Sequence, residues 1–262
     1  MSREISEPDN NLWRVIKYYV NQGLDHRKNR YLQRIAVDEK AYKKGHEYVS
    51  IFTDLDTGEV VFVTPGRKKE VFEEFRNWLL SLGLEAEHVE LFSMDMSKSY
   101  QSGRESYFPK SEVVFDRFHI KKLLNELLDK VRRREIKDNN KLINTKYLWL
   151  KNEENLTEKQ HNQMKELYNE MSIDTVKAYH QKQFFDSIWE ASSGKVESLV
   201  QFWIAEVEQS GIQEMLRFVK SLKKNWVGIL NAMKTKITNA VSEGINSKIG
   251  RASCRERVSS PV

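Results

Sequence analysis

The sequence predicts an α/β fold of five strands with flanking helices, extended by an all-α insertion. Three observations predict it. Short apolar runs separated by turn residues fill residues 34–64. Helical spacing first appears at 68–82 and is followed by two more strand-like runs, giving the order β-β-β-α-β-α-β. From His119 to about Lys236 the periodicity is wholly helical.

Residues 1–33 are polar and charged, with one amphipathic fragment at 12–20, and read as a residual N-terminal helical segment. The first strand is expected at 34–38, delivering Asp38 at its end; the second and third, at 47–53 and 59–64, flank Asp54-Leu55-Asp56-Thr57-Gly58, whose composition favours a tight turn. After Pro65-Gly66, Val71, Phe72, Phe75, Trp78, Leu79 and Leu82 recur at helical spacing, and Gly83 stops that helix. A fourth strand at 88–94 leads to Asp95, a short helix follows at 97–107, and a fifth strand spans 112–116.

Leu123, Leu124, Leu127, Leu128 and Val131 then share one helix face. The core is accordingly placed at 34–136 and the helical insertion at 137–235, where Trp149, Trp189, Trp203 and Trp226 offer enough apolar surface for a small bundle. A last core helix at 236–249 buries Ile237, Val241, Ile245 and Ile249, leaving Asn239, Glu243 and Asn246 together on its opposite side. Residues 250–262 break abruptly in character and are expected to be a non-native tail.

Hydrophobic residues make up 39% of the 262, enough to bury a sizeable core. No run of about 18 apolar residues and no signal-peptide pattern is present, so a soluble, unexported protein is expected, with no membrane partner. The only cysteine, Cys254, excludes an internal disulfide and a cysteine-based zinc site in this chain. The excess of 43 Lys and Arg over 38 acids is modest but clustered, notably at Lys121, Lys122, Arg132, Arg133 and Arg134. Such clusters either neutralise phosphates of a polyanionic partner or lie on a solvated helix face.

Asp38 and Asp95 at the ends of neighbouring strands, with Glu243 on a packed helix, make a set of hard oxygen ligands of the kind Mg²⁺ or Mn²⁺ prefers. Two such ions can activate a water or a 3′-hydroxyl and stabilise the leaving oxygen in displacement at phosphorus. Each acid alone is equally a turn former or helix cap, the role expected of Asp54 and Asp56.

The combination of separated runs carries more. Val37-Asp38-Glu39-Lys40 with Lys44-Gly45-His46-Glu47-Tyr48, Asp95-Met96 with Tyr100, Phe115-Asp116-Arg117-Phe118-His119 with Asn125, Asp129-Lys130-Val131-Arg132-Arg133, and the stretch from Asn239 through Glu243 to Lys248 resemble the catalytic half of bacterial insertion-sequence transposases of the DDE type. The resemblance spans roughly residues 10–249 and implies a ribonuclease H-like mixed five-stranded sheet. It makes Asp38, Asp95 and Glu243 the catalytic metal ligands for two Mg²⁺ or Mn²⁺ ions, and DNA the substrate. The 148 residues from Asp95 to Glu243 require the insertion that the helical tract supplies.

Asp116 and His119 resemble an extra Asp-x-x-His element of such enzymes. His119 then contacts the scissile phosphate or orders an acid, although it could equally cap the helix that follows. Asn239 and Asn246 join Asp116 and His119 as supporting groups, and Lys121, Lys122, Arg132, Arg133 and Arg134 as contacts to DNA. The family further implies a homo-oligomer on double-stranded DNA, a cytoplasmic, nucleoid-associated location, and an upstream zinc-binding and helix-turn-helix region. Residues 1–33 do not supply that region, so the chain is expected to be truncated at both ends. The alternatives to a transposase catalytic domain are a non-catalytic DNA-binding or inhibitory fragment and a structure-selective nuclease of the same fold.

Overall fold

A computed structural model describes residues 31–43, 47–151, 155–168 and 174–237. The described residues form two compact units, one reaching to Asp116 and including Ile237, the other spanning Arg117–Lys236.

The first unit holds β1 (Arg34–Lys43), β2 (Glu47–Asp54), β3 (Val60–Pro65), α1 (Glu70–Ser81), β4 (Leu91–Met94), α2 (Lys98–Tyr107) and β5 (Glu112–Phe115). They make one sheet in the order β3-β2-β1-β4-β5. β2 is antiparallel to β1 and β3, while β4 and β5 run parallel to β1 and to each other. This mixed sheet with its flanking helices is the expected ribonuclease H-like arrangement.

The β2–β3 turn forms as its composition dictates: Asp54 accepts the Asp56 N–H at 2.9 Å and the Thr57 hydroxyl at 2.8 Å, and Gly58 takes a left-handed φ of 72°. β1 is longer than expected. It continues past Asp38 to Lys43 because β2 offers a backbone partner along that whole length, and Asp38 pairs with Ile51 inside the ladder instead of ending the strand. Charged side chains are tolerated there because Asp38, Glu39 and Lys40 are only half-buried.

One sheet face carries an aromatic layer against α1. Phe52 stacks on Phe75 with ring centres 4.4 Å apart and meets Phe72 edge-on, and Phe92 meets Phe72 and Phe108. Gly103 of α2 lies so close to α1 that an added Cβ would stand 2.6 Å from Phe72 Cδ2 and 2.9 Å from the Lys69 carbonyl oxygen. Gly103→Ala must therefore push the two helices apart, a cost of about 1–3 kcal/mol that urea denaturation would report as a lower midpoint. A midpoint equal to wild type would mean that α2 is not seated this tightly.

The second unit comprises α3 (Arg117–Glu135), α4 (Lys146–Leu150), α5 (Glu158–Tyr168), α6 (Asp174–Ile188), α7 (Ser193–Ser210), α8 (Gln213–Lys224) and α9 (Trp226–Thr235). α3 packs on α4, α6 and α8, so within this division it stands with the helices of the expected insertion. Trp149, Trp189 and Trp203 are buried, and Phe185 bridges Trp203 and Phe218 at 4.9 and 5.1 Å. Two indole N–H groups are satisfied inside: Trp203 donates to the Gln181 carbonyl at 2.7 Å and Trp149 to the Thr145 hydroxyl at 3.0 Å. The Glu135 carboxylate accepts the backbone N–H groups of Asp174 and Thr175, both at 2.7 Å, placing negative charge at the start of α6. Among the described residues, no helix is long and apolar enough to cross a membrane.

Candidate active site

Strand register decides where the acids stand. Ala36 pairs with Ser93, 57 positions later, and Met94 pairs with Phe115, 21 positions later. The same offsets separate Asp38 from Asp95 and Asp95 from Asp116, so extending these two registers past their last pairs, Ala36–Ser93 and Met94–Phe115, leads toward the three aspartates at the carboxyl edge of the parallel strands. Open α/β sheets bind ligands outside that edge.

Two of the carboxylates are locally oriented. Asp38 Oδ1 accepts the Glu39 N–H at 2.8 Å. Asp95, the first residue past β4, accepts the Ser97 N–H at 2.9 Å on Oδ1 and so shapes the turn into α2. Asp116 is buried, and its own N–H donates to the Met94 carbonyl at 2.9 Å.

Tyr100 stands in the first turn of α2. It is 1% exposed, its hydroxyl lies 2.6 Å from Ser50 Oγ, and Ser50 donates to the Gly66 carbonyl at 2.8 Å. Ser50 has a single proton, so Tyr100 is the donor to it. Burial, and after it the charges of Glu39, Asp95 and Asp38, raise the Tyr100 pKa well above that of an ordinary phenol. One buried hydroxyl thus feels both candidate metal ligands.

Asp38 and Asp95 are half-buried, which suits a hydrated Mg²⁺, an ion commonly held by one or two carboxylates that keeps several waters. Among the described residues, no group of three or more His, Asp, Glu or Cys side chains could hold a metal, so Asp116 shares the edge without completing a site with the other two. Glu243, Asn239 and Asn246 lie outside the described residues. His119 is the third residue of α3 in the helical unit, half-buried, with its ring 5.5 Å from that of Phe118.

The expected DNA-contacting cations divide. Arg132 is buried in the helical unit, bound to Asp129 at 2.8 Å and donating to the Leu142 carbonyl at 3.2 Å, and so is withdrawn from any phosphate-facing surface. Its position on the inner side of α3 wins over its place in a basic run. Arg134 is engaged by Asp174 at 2.9 Å and Glu214 at 3.2 Å. Lys121 pairs with Asp186 at 2.9 Å, which also supports buried Lys182, whose pKa burial pulls below the ordinary lysine value. Arg133, 59% exposed though paired with Asp129 at 3.1 Å, and Lys122 face solvent.

Ser50 and Arg67 were not singled out from sequence. Ser50 left a faint signal as a polar residue between apolar ones in a strand, and Arg67 opens the basic triplet Arg67-Lys68-Lys69.

Comparison with known proteins identifies the family. The transposase model of the ISL3-type DDE group matches residues 35–256. The transposase for insertion sequence element IS1001 of Bordetella parapertussis is 26% identical, over 83% of this chain and 55% of its own length. The transposase for insertion sequence element IS1557 of Mycobacterium tuberculosis is 23% identical with the same coverage. The chain therefore spans about half the length of the curated relatives it matches. With a mixed five-stranded sheet of this order and a match over most of its residues, this chain belongs to the ISL3 family of DDE transposases.

Proposed function

We propose that this chain is the catalytic part of an insertion-sequence transposase, carrying out metal-dependent phosphodiester hydrolysis and strand transfer at the ends of its element. The observation that carries the reading is the parallel pairing of β1 with β4, whose register, extended past Ala36–Ser93, leads to Asp38 and Asp95 at one sheet edge of a DDE-family fold. Asp38, Asp95 and Glu243 would hold Mg²⁺ or Mn²⁺, and a pair of such ions supplies an activated oxygen nucleophile and neutralises charge on the leaving oxygen.

The protein's own contribution is orientation. The Glu39 and Ser97 N–H groups each hold one oxygen of an aspartate, Asp38 and Asp95 respectively. Asp116 and His119 would act as positioning or phosphate-contacting groups. Double-stranded DNA is the substrate, held by an oligomer of the protein.

Incubation of the whole chain with Mn²⁺, a duplex ending in a pre-nicked element terminus and a target duplex tests the reading. Joined product is expected. Cleavage without joining would make the protein a nuclease of this fold. Binding without either would make it a DNA-occupying fragment.

A further inference from the structure

We propose that the turn between β3 and α1, Arg67-Lys68-Lys69, is a phosphate-binding element that holds the DNA backbone beside the candidate acids. The proposal rests on the DNA-processing reading above and adds a surface to it.

Topology puts the turn at the same edge as the acids. β3 runs parallel to β1, and one row of pairs links Lys40 to Val49 and Val49 to Pro65, so the chain leaves β3 where β1 extends beyond Asp38. Side chains then fasten the turn there. The Gly66 N–H donates to the Tyr48 carbonyl at 2.7 Å, and the Gly66 carbonyl accepts from Ser50, the residue that also receives the Tyr100 hydroxyl. Gly66 has a φ of 102°, a conformation that a side-chain-bearing residue would adopt only under strain.

Arg67 lies 3.9 Å over the Tyr48 ring and 3.6 Å from Glu39, whose own N–H binds Asp38. The triplet is thereby tied to β1 at the residue that follows a candidate metal ligand in the chain.

Its charge is available. Lys68 and Lys69 are exposed, and among the described residues neither is paired with a carboxylate, whereas Arg132 and Arg134 are committed within the helical unit. Of the nearby acids, Glu73 accepts from Tyr107 and Glu74 from Thr64. The Lys69 carbonyl sits against Gly103, so the lysines project from a packed corner. A fixed cluster of cations with no base-reading groups suits the sugar-phosphate backbone and confers affinity without sequence choice.

The test is duplex binding by fluorescence anisotropy in EDTA across a salt series, using the whole chain. K68Q/K69Q should lower the slope of log affinity against log salt by about 2, since each neutralised phosphate contributes about 0.9. K220Q/K224Q, which removes equal charge from exposed positions of α8, should leave the slope unchanged, and circular dichroism should show both variants folded. An unchanged slope in K68Q/K69Q, or an equal fall in both variants, overturns the proposal. Metal is absent from this measurement, so either result leaves the reading of the acids to the Mn²⁺ assay. Conversely, a wild type that binds duplex with the expected slope but never nicks it would remove the catalytic reading and keep the surface.

Discussion

Asp95→Asn should reduce metal-dependent nicking of element-end DNA by about a thousandfold or more while leaving DNA affinity within about twofold of wild type. The substitution is chosen because an amide oxygen can still accept the Ser97 N–H that the aspartate now receives, so the turn into α2 survives and only the negative charge is lost. A ligand that helps neutralise charge in the transition state contributes several kcal/mol, and about 4 kcal/mol corresponds to about a thousandfold in rate. Single-turnover nicking in Mg²⁺ and in Mn²⁺, with binding measured in parallel, separates the two effects. Nicking at near wild-type rate in a folded variant would remove Asp95 from the chemistry and with it the proposed mechanism. Lost binding as well as lost nicking would instead make Asp95 a structural residue.

Asp129→Ala should destabilise the helical unit by about 3–5 kcal/mol, because it strands a buried cation. Asp129 and Arg132 are both buried, Arg132 reaches Oδ1 through two nitrogens at 2.8 and 2.9 Å, and it also ties α3 to the Leu142 carbonyl. With a denaturant dependence of about 2 kcal/mol per molar, the urea midpoint of the transition involving this unit should fall by roughly 2 M. Arg133→Gln is the matched contrast: that side chain is 59% exposed and shares the same carboxylate, and its loss should cost under about 1 kcal/mol. Equal, small losses from both would show that solvent screens the buried pair as it does a surface one, and would return Arg132 to the cations open to DNA.

The elements themselves were legible because they rest on local periodicity. The five strands, the two helices between them and the helical tract form in the order that hydrophobic spacing and turn residues predict, although β4 begins at Leu91 and not at 88, where a 3-10 turn over Ala86–His88 precedes it, and Asp54 and Asp56 make the turn their composition predicts. The end of β1 was not legible, since its last residues are polar and stay in the ladder only because β2 pairs with them. The candidate acids were legible in part. Asp38 and Asp95, with Tyr100 in the same motif, were picked out from strand context and a family resemblance, while the bond between the Ser50 and Tyr100 hydroxyls joins residues 50 positions apart and left no local trace. The basic run Arg132-Arg133-Arg134 looked uniform, yet its members meet different fates because 3.6-residue periodicity turns Arg132 inward and sets Arg134 against Asp174 and Glu214.

By itself the sequence determined the class of fold, because apolar spacing is written into the chain one neighbourhood at a time, and its separated motifs pointed to the family. Only the tertiary structure decided that β1, β4 and β5 pair in parallel in the register that leads toward the aspartates, that Arg132 is buried, and that a basic turn is fastened to Glu39. Strand register and ion pairing depend on partners tens of residues away, and their energies exist only once the chain has brought those partners together.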